Sequence, residues 1–430
     1  MKYFKSLQPS ALIKSAGIYT FFNIVDKSIP FLIIPIITRL LPLEDVGYYT
    51  LYQAIFNILV PILTLSIDSS ILLNYFKLDT EEFKRYFSNG IFLFLIVFIT
   101  LLLLTWILSN PLSILLEFPS IWLNVTALVV FFQFFNTLRK NLWQVKKQAF
   151  NYGVFSVILT LFKNLSGLAI IYYFDFGWQG IIIGHFLGGS ILFCYSILSF
   201  LKEDLIKFKL IFSYFNDLLS VGGPLSMHNI GAWLSNSMNR VLISSMIGKE
   251  SVGSYGIGAV FGTMLTVILV AFNNAYVPYL FEKLKNNSEK DKYQIVKMTY
   301  IFYFSVILAS AIISIGGYYF VEEIFGTSYQ NTRAYILPIT LAAALNGMYK
   351  MHVNYLFYMK RTLEITKITF TSGFINIVLA YLMIDKWGVI GAAYSVLLIQ
   401  FLTYILTFFR SNSFYPMPWK SVLFKYRKIK

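Results

Sequence analysis

Long apolar runs follow one another along the whole chain, and no other feature limits its fold as strongly. They cover approximately residues 13–41, 46–76, 87–109, 119–138, 148–173, 179–201, 213–247, 252–281, 295–320, 334–358, 366–384 and 389–409. About 20 apolar residues suffice for a helix to cross a bilayer, and no period-two alternation competes with that reading. Only 13% of the 430 residues are charged and 57% are hydrophobic, whereas a soluble domain is about 25% charged. The sequence therefore predicts an all-α integral membrane protein with about twelve transmembrane helices. The first run is too long for a signal-peptide core and continues into Leu41-Pro42-Leu43-Glu44 instead of a small-residue cleavage site, so it is read as a helix.

Several function classes are excluded early. The one cysteine, Cys194, permits neither an intrachain disulfide nor a cysteine zinc cluster. His185, His228 and His352 lie in separate apolar runs, which argues against a metal site or a nucleophilic triad and favours hydrogen-bonded core residues. No Gly-x-x-x-x-Gly-Lys-Ser/Thr loop is present, so no nucleotide cofactor is expected and ATP is not the direct energy source. The outer loops are short and carry few paired acids, which speaks against an enzyme. A net charge of +15 would suggest nucleic acid in a soluble protein. Here most Lys and Arg fall on one side if the N-terminus is cytoplasmic, and the opposite side holds only Arg39, Lys249, Arg333 and Lys386. The excess is topological, places both termini in the cytoplasm and implies no nucleic-acid partner. The tail 412–430 mixes aromatic and basic residues, as an anchor on an anionic lipid surface would.

The chain also repeats itself. An offset of 206 residues sets Gly17 on Gly223, Asn23 on Asn229, Glu44 on Glu250, Val46 on Val252, Gly47 on Gly253 and Tyr49 on Tyr255, and an offset of 211 sets Gly177 and Gly180 on Gly388 and Gly391. Two parallel six-helix lobes follow, 1–205 and 206–411, with the tail 412–430 behind them; parallel repeats place substrate between lobes. Pro30, Pro35, Pro61, Pro224, Pro278 and Pro338 lie inside the runs. Each removes a backbone donor, so broken or bent helices are expected there.

An ion at bilayer depth costs at least about 2.5–3.5 kcal/mol, which makes each one a functional candidate with a partner. The first run carries a stripe with Asn23, Asp26 and Lys27, and the seventh carries Asn229, Trp233, Asn236 and Arg240 at helical spacing. Asp68, Lys163 and Lys350 add further buried charge. Asp217 is read as solvated at the inner boundary. Lys27, Lys163, Lys350 and Arg240 outnumber Asp26 and Asp68, so the interior favours an anion. Guanidinium and ammonium groups suit phosphate, while amides and an indole suit hydroxyl-rich rings. Helix packing is the competing reading of each stripe.

The segment from Ser15-Ala16-Gly17 to Pro35, the loop Arg39-Leu40-Leu41-Pro42-Leu43-Glu44-Asp45-Val46-Gly47-Tyr48-Tyr49, and Gly388-Val389-Ile390-Gly391-Ala392-Ala393 resemble the polysaccharide transporter family, specifically Wzx-type O-antigen or capsule repeat-unit flippases. The resemblance covers nearly the whole chain. It implies a V-shaped, MATE-like transporter that moves an undecaprenyl-diphosphate-linked oligosaccharide across the bacterial inner membrane by alternating access, beside a polysaccharide polymerase and a chain-length regulator. On that reading Lys27, Lys163, Arg240 and Lys350 bind the diphosphate, Asn23, Asn229, Trp233 and Asn236 bind sugars, and Asp26 or Asp68 couples an ion. The alternative is a cation-coupled multidrug exporter of the same fold.

Overall fold

The computed structural model describes residues 9–207 and 209–420, with side chains from Gly17 onward. Residues 421–430 of the expected tail 412–430 lie outside the described residues. The described chain is helical, and ten helices are long and apolar enough to cross a membrane. The protein is a multi-pass membrane protein.

The first compact unit runs from Met1 to Ile230. Within it α1 (Pro9–Leu40) packs on α7 (Ala149–Phe174), which lies along α8 (Gln179–Lys202), and α8 in turn contacts α6 (Ser120–Val145). α6 also meets α2 (Leu43–Thr64), α3 (Ile67–Asn74) and α4 (Thr80–Ile107), while the short α5 (Ser109–Leu116) bridges α4 and α6. Phe87, Phe94, Phe134 and Val130 are at most 2% exposed at the centre of the α4–α6 core. α9 (Phe212–Asn236) begins in this unit and ends in the next.

The second unit, Gly231–Lys430, is built around α13 (Arg333–Tyr358). α13 packs on α11 (Lys249–Asn286), α12 (Glu289–Phe325) and α15 (Val389–Phe414), while α14 (Thr362–Trp387) lies on α15 and on α10 (Met238–Met246). His352 is fully buried and hydrogen-bonded to Tyr303. Trp419, 9% exposed, packs on its imidazole and donates from Nε1 to Asn412 Oδ1 at 2.9 Å. The described start of the tail thus seals a protein core, where the sequence suggested a lipid-surface anchor.

The structure departs from the expected runs in three further ways. Helix continues through all six of these prolines, and two breaks fall elsewhere. The second run splits into α2 and α3 at Leu65 and Ser66, both left-handed at φ 46° and 50°. The seventh splits into α9 and α10 at Ser237. Tertiary contacts hold the first break: Ser66 Oγ bonds Ser226 Oγ at 3.0 Å and Ser70 Oγ donates to the Leu218 carbonyl at 2.9 Å. The stretch read as an inner loop near residue 290 is instead a tight hairpin, in which α11 ends at left-handed Asn287 and Ser288 caps α12 by accepting from the Asp291 amide. Lastly, α9 and α13 are long enough to span but carry several polar residues each, and they are less apolar than the ten spanning candidates.

Candidate functional site

Polar side chains of α1, α6 and α7 meet inside the first unit. Thr160 of α7 donates to Asp26 Oδ1 of α1 at 2.5 Å. Three residues on, Lys163 donates from Nζ to Gln133 Oε1 of α6 at 2.6 Å, and Gln133 Nε2 donates to Thr137 Oγ1 at 3.1 Å. A glycine seam seats this lysine: a Cβ on Gly184 of α8 would stand 2.2 Å from the Gly167 nitrogen, and one on Gly188 would stand 2.6 Å from the Lys163 nitrogen. Only residues without a side chain let α8 press so closely on α7.

α6 supplies a cation that the sequence reading had assigned to a cytoplasmic loop. Lys140 interacts electrostatically with Asp26 and Lys27, and Lys163 interacts with Lys140 and Asp26. Lys27 is exposed on α1, next to half-buried Asp26. Gln133, Thr137, Lys140 and Asn141 share one helical face by their spacing, and that stripe was the overlooked signal. Asp68, in the first turn of α3, is hydrogen-bonded by Asn141 and Ser69. It lines a cavity of about 50 Å³ with Thr64, Gln133 and Thr137, enough for roughly one water. Gln133 therefore connects the Asp68 cavity to Lys163.

The neighbouring Arg139, also expected in a loop, belongs to α6 and is 3% exposed. It bonds Glu203 at 2.6 Å and stacks over Trp143 at 4.2 Å, while Lys146 meets the other Glu203 oxygen at 2.5 Å. Burial pushes the Glu203 carboxyl up, but Lys146 and Arg139 outweigh it and hold the group below the usual carboxylate range. Asp217, expected to be solvated, accepts from Tyr86 at 2.6 Å and from Asn74 at 3.0 Å.

In the second unit the amides form a ladder. Gln400 of α15 donates to Asn236 Oδ1 at 2.8 Å, and Asn346 of α13 donates to Gln400 Oε1 at 3.3 Å. Lys350 follows one turn later on α13 and is half-buried. Gln400 was not among the expected site residues, because α15 reads as an ordinary apolar helix. Trp233 is 9% exposed, so its indole packs inside the unit instead of forming an open platform. Arg240 lies beyond the break, on α10, where its charge acts on Tyr255. Asn23 and Asn229 are exposed, and Asn229 reaches Ser66 Oγ at 3.5 Å. The structure thus groups Asp26, Lys27 and Lys163 with Asp68 nearby, and separately places Asn236 in an amide ladder.

Comparison with known proteins agrees with this architecture. The "Capsular polysaccharide biosynthesis protein CapF" of Staphylococcus aureus is 23% identical over 431 residues, covering 92% of this chain and 98% of that protein. Among solved structures, the lipid II flippase MurJ in an inward closed conformation aligns with a TM-score of 0.74 at 16% identity, covering 96% of this chain and 89% of that one. An inward-facing multidrug resistance MATE family transporter of the MOP superfamily aligns at 0.69 with 13% identity, covering 94% and 100%. These likenesses establish the fold. Residues 12–284 match the family profile described as "Polysaccharide biosynthesis protein", and the chain belongs to that family.

Proposed function

We propose that the protein is a flippase that moves an undecaprenyl-diphosphate-linked oligosaccharide from the cytoplasmic to the periplasmic leaflet of a bacterial inner membrane by alternating access. The lysine cluster of the first unit carries the reading. Lys27, Lys140 and Lys163 surround one carboxylate, Asp26, which is hydrogen-bonded to Thr160. With all three lysines ionised the excess is about two positive charges, which is costly at bilayer depth unless an anion joins it. A diphosphate diester brings about two negative charges and acceptor oxygens for ammonium donors. Sugar hydroxyls unpaired in hydrocarbon cost several kcal/mol each, and the Asn236–Gln400–Asn346 ladder offers polar partners to them. Arg240 and Lys350 add cations in the second unit, Asn23 and Asn229 complete the sugar contacts, and Asp26 or Asp68 couples an ion. With the inside negative, moving about two negative charges outward gains roughly 4–5 kcal/mol per 100 mV. The relative from Staphylococcus aureus, named for capsular polysaccharide biosynthesis, supports this substrate class.

Deletion and complementation in the native host test the reading, scored by surface polysaccharide and by lipid-linked repeat units trapped on the cytoplasmic leaflet. Deletion is expected to trap repeat units, and Lys163→Ala and Lys140→Ala, expressed at wild-type level, are each expected to lower polymer export about tenfold or more, as loss of a charged hydrogen bond does. Unchanged polymer together with reduced dye efflux would replace the flippase with a drug exporter.

A further inference from the structure

A second site lies away from the lysine cluster, on the outer surface of the first unit. A groove of about 300 Å³ runs between α7 and α8 and the end of α6. Its floor is buried Trp143, Phe155 and Leu192, and its walls include Phe150, Ile158 and Tyr195, which are 63%, 38% and 50% exposed. Such apolar exposure on two spanning helices is stable only against lipid. From Phe150 to Ile158 the groove follows α7 for about 12 Å, close to the depth of one hydrocarbon leaflet, about 15 Å. One extended chain fits that slot.

The chain that leads into α7, at the end of the groove near residue 150, is basic. Lys147 stands exposed two residues before α7, in a left-handed conformation at φ 59°. No side chain caps the first turn of α7 at Gln148, so that turn presents unsatisfied amides and the positive end of a 26-residue helix. Lys146, one residue earlier, is already held by Glu203, which leaves Lys147 as the lysine available to a ligand at this end. An apolar slot that reaches an uncapped helix start, with an exposed lysine two residues ahead of that helix, matches an amphiphile with one chain in the slot and a phosphate at its mouth.

We propose that this groove binds an acyl chain of an anionic glycerophospholipid whose phosphate meets Lys147 and the first turn of α7. Trp143 on the floor makes the occupant observable. The full-length protein would be reconstituted in phosphatidylcholine vesicles containing a fixed fraction of dibrominated phosphatidylglycerol or of dibrominated phosphatidylcholine. The Trp143 contribution is the difference between wild type and Trp143→Phe, since the chain has seven tryptophans. Brominated phosphatidylglycerol is expected to occupy the groove with about fivefold preference, the effect of one lysine near an anionic head group. Lys147→Glu should abolish the preference, and Val154→Phe, which narrows the slot, should weaken quenching by both lipids. Native mass spectrometry, counting phosphatidylglycerol retained by wild type and Lys147→Glu, gives the same comparison without any change at Trp143. Equal quenching by the two lipids in wild type would reduce the groove to ordinary boundary lipid and overturn the proposal, as would no quenching at all. Neither result bears on whether the protein is a flippase.

Discussion

Charge placement at single residues separates what a helix can hide from what it must use. Arg139 is buried yet answered by Glu203, and that carboxylate is shared with Lys146. Because the folded Glu203 titrates below its unfolded value, its contribution is present above about pH 4.3, the ordinary glutamate value, and is lost as pH falls through the lowered folded value. Glu203→Gln is expected to destabilise the protein by about 2 kcal/mol at neutral pH, since it strands a buried guanidinium. Thermal unfolding in detergent would show this, with the gap to wild type closing below pH 4; a constant gap would contradict the pairing. Asp26, Lys27 and Lys163 were legible in the sequence because a charge inside an apolar run is conspicuous. Lys140 was not, because Arg139-Lys140 at the end of such a run looks like a helix leaving the membrane. Only Glu203, distant in sequence, reveals that the helix continues.

At the level of elements, apolarity predicted where helices lie but not where they break. Pro61 sits inside α2, and the chain turns only at Leu65 and Ser66. There Gly222 of α9 approaches so closely that an added Cβ would lie 2.3 Å from the Leu65 carbonyl oxygen. Such a break is made by a partner helix and leaves no local signal. The copies of the expected repeat diverge: the 206-residue offset sets Pro30, within continuous α1, on Asn236, where α9 ends. The glycine pair is reproduced more faithfully. Gly177 and Gly388 both have positive φ, 43° and 62°, before α8 and α15. Gly180 packs against Ile171 and Gly391 against the Met383 carbonyl. Gly388 adopts φ 62°, ψ −145°, a region open almost only to glycine. Gly388→Ala is therefore expected to cost about 1–3 kcal/mol, read as a lower melting temperature.

For the whole molecule, the two longest helices set the reach. α11 and α12 have 38 and 37 residues, or roughly 55 Å each against a hydrocarbon core of about 30 Å. Their shared turn at Asn287 and Ser288 must stand clear of the bilayer, on the face where lysines concentrate. With Cys194→Ala as background, Asn287→Cys should react with a membrane-impermeant maleimide in inverted vesicles and remain unlabelled in right-side-out ones. The opposite pattern would reverse the proposed orientation. The same arithmetic of thiols helps a spectroscopist. Cys194 is the sole cysteine and is exposed on α8, one residue before Tyr195 of the groove. The natural chain therefore arrives with one attachment point for a spin label or fluorophore, and a single added cysteine in the second unit, such as Tyr394→Cys on exposed α15 surface, turns it into a ruler for following the two units through a transport cycle.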